Sequence, residues 1–155
     1  MRQAGLSMIE LMIVILLIGL LALAASPFTG AWVQGANVNK TLALLEQAVG
    51  SAKASALRNA AGIRGQDAAI ALCLSNRDLR LVPAAAVANC AAPAALWSAQ
   101  VPTGVQVKIA AADWTCSCFT NRGLLTTTDA SCNACGSSLE FTVAAGGESE
   151  TLTIY

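Results

Sequence analysis

Cysteines are the residues of this sequence best suited to chemistry, and there are six of them in 155 residues. Four lie in two close pairs, Cys116 with Cys118 and Cys132 with Cys135, and the other two are Cys73 and Cys90. Two such pairs of thiolates could bind zinc, although the first has a CxC rather than a CxxC spacing. In an exported protein the same residues more commonly form disulfides. We therefore predict disulfides in preference to a metal site, and no bound cofactor.

Other chemical groups are sparse. The sequence has no histidine, no glycine-rich phosphate loop and no pair of carboxylates in a setting typical of acid–base catalysis. Basic and acidic residues balance at nine each, and the segment from Glu140 to Tyr155 has glutamates but no Lys or Arg. Because binding to phosphates needs clustered basic residues, this pattern argues against a nucleic-acid partner. We predict that the chain is not an enzyme.

The N-terminus is strongly apolar. Residues 11–25 carry no charge, and the span 6–25 is about 30 Å long as a helix, which matches the hydrocarbon core of a bilayer. Arg2 lies in the leader, residues 1–5, and the positive-inside rule places that leader in the cytoplasm. Glu10 at the start of this helix costs about 2.5–3.5 kcal/mol if it is buried unpaired, so it predicts a partner. A secretory signal peptide or a plain membrane anchor are alternatives, but neither needs Glu10.

The segment from Gly5 to Glu10 reads GLSMIE and resembles the prepilin processing motif of type IV pilins. The resemblance implies that prepilin peptidase cleaves between Gly5 and Leu6 and methylates the new amino terminus. It also implies that Glu10 pairs with the N-terminal ammonium of a neighbouring subunit. Leu6 stands where phenylalanine is usual, and Pro27 falls where major pilins have a helix-kinking proline.

A long helix must follow this motif. Pro27 and Gly30 predict a kink or a melted segment near 26–31, and Asn59 with Gly62 predicts the helix end. Between them, apolar residues recur at spacings of three and four and should face a core. These are Val38, Leu42, Leu45, Val49, Ala52 and Ala56. The result would be one kinked helix about 80 Å long.

The rest of the chain predicts short strands and turns. The predicted strands are Ala68–Leu74, Leu79–Val82, Val105–Ile109, Cys118–Thr120, Leu124–Thr128, Leu139–Val143 and Thr151–Tyr155. Gly146 and Gly147 predict a tight turn in the last hairpin. We interpret Trp32, Trp97 and Trp114 as packing residues rather than a ligand cage.

The expected fold class is α+β and pilin-like, with a long kinked N-terminal helix packed on an antiparallel β-sheet head. Residues 1–5 are the leader, 6–25 the transmembrane and filament-core helix, 26–60 its amphipathic continuation, and 61–155 a disulfide-stapled head. Two segments, Ala52–Asn59 at the end of the long helix and Phe119–Gly123 in the head, resemble the FimT/FimU group of minor pilins and H-type pseudopilins.

This resemblance implies a minor pilin, a structural subunit of a type IV pilus, in the complex that primes assembly near the tip. Its partners would be other minor pilins, the major pilin, prepilin peptidase and the inner-membrane assembly platform. The protein would cross the inner membrane once with its head in the periplasm, then reach the pilus at the cell surface. The alternatives are an H-type pseudopilin of a type II secretion system and, against the acidic C-terminus, a DNA-binding competence pilin.

A head outside the cytoplasm would favour disulfides over zinc. Cys73 with Cys90 is one plausible bond, and Cys116 or Cys118 could link to Cys132 or Cys135. The sequence does not fix this connectivity. A bond closing a loop of roughly 15 residues contributes on the order of 3 kcal/mol in the chain-entropy model.

Overall fold

The computed structural model describes residues 7–83, 95–127 and 138–154, with only the backbone given for 24–28. Helix α1 runs from Met8 to Arg58 without a break across 26–31. The melted segment is therefore not found, while a bend at Pro27 stays a prediction. Asn59 ends the helix in the left-handed conformation, at φ 41° and ψ 52°, which confirms the predicted helix end.

Within the described residues, the structure contains no helix that combines the length and the apolarity needed to cross a membrane.

The C-terminal part of α1 buries the predicted apolar stripe. Val38, Leu45, Val49, Ala52 and Ala56 are buried, and Leu42 packs against the same core while partly exposed. Ala48 and Thr41 are also buried on this face. The hydroxyl of Thr41 donates a hydrogen bond to the carbonyl of Asn37 at 2.8 Å, so the polar atom is satisfied inside the helix.

Nine strands follow the helix in the described residues. They are β1 (Ala68–Ser75), β2 (Asp78–Pro83), β3 (Trp97–Gln100), β4 (Val105–Ile109), β5 (Ala112–Asp113), β6 (Cys116–Thr120), β7 (Leu125–Thr126), β8 (Glu140–Ala145) and β9 (Glu148–Thr153). One sheet has the order β3-β2-β1-β6-β7 and the other β5-β4-β8-β9. All pairings are antiparallel.

Both sheets pack on the same face of α1. The first sheet contributes Leu72 and Phe119 to the core, and the second contributes Phe141 and Val143, all of them fully buried. The α+β class with a helix on an antiparallel head is confirmed. The division of the head into two sheets is new, because the pattern of each strand says which face is apolar but not which strands pair.

The three tryptophans have different environments. Trp114 is buried, meets Phe141 edge-on with the ring centroids 5.0 Å apart, and donates its indole N–H to the hydroxyl of Ser117 at 3.0 Å. Trp97 packs against the core while partly exposed. Trp32 is 77% exposed, so its interpretation as a packing residue is wrong for the isolated chain.

Candidate functional site

Helix α1 begins directly after the predicted processing site. Ser7 is the N-cap residue, in an extended conformation at φ −75° and ψ 147°, and its hydroxyl accepts a hydrogen bond from the amide of Glu10 at 3.3 Å. Its carbonyl accepts from the amides of Glu10 and Leu11. Ser7 and Glu10 therefore have the spacing of a capping box, and the carboxylate lies in the first turn, where the helix dipole favours negative charge.

The role of Ser7 was missed from the sequence, although a serine three residues before a glutamate is a recognisable capping pattern. Gly5 and Leu6, the predicted processing residues, lie outside the described residues. Pro27 lies in the helical backbone, and nothing of its side chain is described.

The N-terminal part of α1 presents apolar side chains on every side. From Met8 to Leu23 the large hydrophobic residues are between 47% and 86% exposed. A helix that is apolar all round belongs inside a membrane or a packed assembly rather than in water. This surface is the largest apolar region that the described part of the chain leaves uncovered.

The end of α1 is joined to the turn after β6 by side-chain amides. The Asn59 amide makes two hydrogen bonds to the backbone of Ile63, each at 2.8 Å. The amide nitrogen of Asn121 donates to the same Ile63 carbonyl at 3.0 Å. Asn59 therefore both ends the helix and fixes the direction of the outgoing chain.

The turn itself lies close against the helix. Gly123 has a positive φ of 73°, and an added Cβ would be 3.6 Å from the Cβ of Lys53. The segments Ala52–Asn59 and Phe119–Gly123, which resemble the same group of pilin-like proteins, are thus neighbours in the fold. Their contact is structural, because it sets how the head is attached to the helix.

The described cysteines share one face of the first sheet. Cys73 lies directly opposite Cys116, and Cys118 lies opposite Ala71, so all three side chains point away from α1. None is a free thiol, and Cys73, Cys116 and Cys118 are each disulfide-bonded. Cys90, Cys132 and Cys135 lie outside the described residues, so the pairing stays a prediction.

Metal ligation was the alternative use of these cysteines. No group of three or more His, Cys, Asp or Glu side chains that could hold a metal ion occurs in ranges 7–83, 95–127 and 138–154. The three described cysteines form a buried cluster with Ala68, Ala71 and Val82.

The candidate functional site is therefore the N-terminal segment, where a capped, apolar helix follows a predicted cleavage site. Residues 1–26 match the prokaryotic N-terminal methylation motif. This match supports a type IV pilin-family protein and hence a pilin or pseudopilin role. It indicates a structural subunit rather than an enzyme, and it implies contacts with other pilins and with prepilin peptidase. It also suggests membrane anchoring followed by assembly at the surface. No curated protein and no solved structure matches the chain.

Proposed function

We propose that this chain is a minor pilin of a type IV pilus, acting in the complex that primes assembly and remaining near the tip. The observation that carries the proposal is the apolar half of α1, exposed from Met8 to Leu23, which lies within the residues 1–26 that match the methylation motif. Such a helix needs lipid before assembly and other helices after it. Residues 6–25 would be the single membrane anchor, with the head in the periplasm.

Processing is the first step of this function. Prepilin peptidase would cleave between Gly5 and Leu6 on the cytoplasmic side, and the amino group of Leu6 would be methylated. The new terminus would then lie one residue before the N-cap Ser7. Because Ser7 already starts the helix, the mature chain would begin almost directly with helical structure.

Glu10 would align the subunit in the filament. Its carboxylate is exposed at the start of α1 and would pair with the N-terminal ammonium of a neighbour once both leave water. Either charge alone is costly in a water-poor core, whereas the pair is tolerated. A subunit in the wrong register would leave both charges unpaired, so the pair would specify register more than it adds stability.

The first test is the intact mass of the protein recovered from sheared surface filaments. We expect loss of residues 1–5, one added methyl group and six missing hydrogens, corresponding to three disulfides. A processed protein that stays entirely with the cell envelope would support an H-type pseudopilin of a secretion system. An uncleaved mass would overturn both readings.

The second test is Glu10→Gln, which removes the charge and keeps the side-chain size. We expect normal cleavage and membrane insertion but at least about a tenfold loss of incorporation into filaments, because a neighbour's ammonium is left unpaired. Glu46→Gln, an exposed carboxylate on the same helix, is the matched control and should incorporate normally. Normal incorporation of Glu10→Gln would remove this account of Glu10.

A further inference from the structure

A groove lies where α1 leaves the apolar segment and meets the second sheet. It has a volume of about 860 Å³ and is lined on the helix by Trp32, Gly35, Ala36 and Asn39, and on the sheet by Glu148. Trp32 is 77% exposed, which is unusual for the largest apolar side chain. Gly35 and Ala36 are small, so the face of the indole is open to a neighbouring group.

The edge strand β9 supplies the charge of this groove. Glu148 lies opposite Ala145 and Glu150 opposite Val143 in the pairing of β8 with β9. Ala145 and Val143 are buried against α1, so both carboxylates are on the helix side of the sheet. β9 is the last strand of its sheet, which leaves that side of the edge uncovered.

The groove contains no compensating cation. Its described lining has no Lys or Arg, and no basic residue occurs from 140 to 155. The turn between β8 and β9 contacts α1 beside the groove, where the Gly147 amide donates to the Gln34 side-chain oxygen at 3.4 Å. An indole face beside a carboxylate is suited to a Lys or Arg side chain, which gains a cation–π contact and an ion pair together.

We propose that this groove, the Trp32–Glu148 groove, binds a Lys or Arg side chain of a neighbouring subunit in the filament. The inference rests on the proposed pilin role. It identifies one contact that would form between this subunit and a neighbour in the filament. The negative charge of Glu148 favours a cationic side chain as the occupant. The position of the groove on α1 supports a neighbouring subunit as the source of that side chain. The groove lies on the same helix, C-terminal to the exposed apolar stretch from Met8 to Leu23 on which neighbouring helices would pack.

A membrane surface is the main alternative occupant, because tryptophan is also common at membrane interfaces. The carboxylate of Glu148 argues against it, since anionic headgroups would be repelled from the same groove. The filament partner is therefore the proposal, and a lipid contact is an outcome that would overturn it.

Cross-linking in cells with the full-length protein separates these occupants. A photoreactive amino acid is placed at Asn39, which lines the groove. The matched control has the same amino acid at Thr151, on the opposite face of β9. We expect the Asn39 position to cross-link a filament subunit, with a Lys or Arg near the linked residue. Adducts with lipid alone, or no adduct in assembled filaments, would overturn the proposal.

Substitutions in the groove test whether the indole of Trp32 and the carboxylate of Glu148 bind a cationic side chain. Trp32→Ala should lower incorporation into filaments by about 3- to 30-fold, and Trp32→Tyr, which keeps an aromatic face, should retain most of it. Glu148→Lys should reduce incorporation more than Glu148→Gln, whereas Glu140→Gln on the outer face of β8 should leave it unchanged. Wild-type incorporation of both Trp32→Ala and Glu148→Lys would contradict the groove.

Two readouts keep this test separate from the proposed function. The intact mass reports cleavage and methylation of each variant, and wild-type protein in sheared filaments reports the pilin role itself. If the wild type never enters filaments, the proposed function fails. If the wild type is incorporated and the variants match it, only the groove proposal fails.

Discussion

The two halves of α1 differ in their surroundings, although the chain forms them as one continuous helix. From Met8 to Leu23 the large apolar side chains are mostly exposed in the described part of the chain, whereas Leu45, Val49 and Ala52 are fully buried under the sheets. The same kind of residue therefore serves two purposes. The first half leaves its apolar surface exposed, and the second half uses it to pack the head.

Because of this difference, the effect of a substitution on the free energy of unfolding should depend on its position along the helix. A change in the second half should be felt as a loss of head stability. A substitution in the first half should leave the stability of the head unchanged and reduce only assembly with other subunits. The predictions below test that division, beginning with the largest expected effect.

The core beneath the second half should be the most sensitive place. Phe141→Ala removes a fully buried ring that contacts Trp114 and should lower the free energy of unfolding by about 3–5 kcal/mol. Leu16→Ala, at a side chain 62% exposed, should change it by less than about 0.5 kcal/mol. Denaturant unfolding of the full chain in detergent, followed by tryptophan fluorescence, measures both. Comparable losses from the two variants would contradict the division of the helix.

The turn that docks the last hairpin on the helix should have an intermediate effect. Gly146 has a positive φ of 60°, and an added Cβ would overlap the side chain of Gln34. Gly146→Ala should therefore cost about 1–2 kcal/mol, whereas Gly147→Ala, with open space around it, should cost much less.

Thermal unfolding compares these two glycine variants. Adding Gln34→Ala to Gly146→Ala relieves the overlap but not the backbone strain, so it should restore only part of the stability. Equal effects of the two glycine substitutions would show that the docking of this turn on α1 is unimportant.

The smallest effect should come from the start of the first half. Ser7→Ala removes the side-chain acceptor for the amide of Glu10 and leaves only the bond to the Ser7 carbonyl, a change that costs about 1 kcal/mol at a typical N-cap. Hydrogen exchange of that amide in detergent should become roughly fivefold faster, while the head is unaffected. Ser7→Thr keeps a capping hydroxyl and should exchange nearly as slowly as the wild type. Unchanged exchange in Ser7→Ala would mean that the cap does not hold this turn.

Elements whose residues repeat with a helical or strand period could be predicted from the sequence. The stripe from Val38 to Ala56 follows from a period of 3.6 residues, and β4 matches its predicted bounds because Val105–Ile109 alternates cleanly. β3 and β5 were missed. β3 alternates apolar and polar residues but has only four of them, and β5 has two, so each is too short to give a strong signal.

Long-range pairing and exposure could not be predicted in this way. The contact of β1 with β6 joins residues far apart in sequence, and nothing in Ala68–Ser75 specifies that partner. Trp32 has the apolar side chain of a core residue, but it is 77% exposed, beside Glu148 at the edge of the second sheet. At the candidate site, the sequence predicted the processing motif, which the match to the methylation motif supports, whereas the role of Glu10 stays a prediction. The hydrogen bonds from Asn59 and Asn121 to Ile63 became visible only in the fold.

The unbroken course of α1 has a mechanical consequence. A continuous helix fixes the angle between the direction in which its N-terminal half faces neighbours and the direction in which its C-terminal half carries the head. One residue inserted between Leu23 and Gln34 would turn the head by about 100° and move it by about 1.5 Å, whereas seven would nearly restore the angle. The length of this connecting stretch therefore determines the direction in which the head projects around the axis of the N-terminal half of α1.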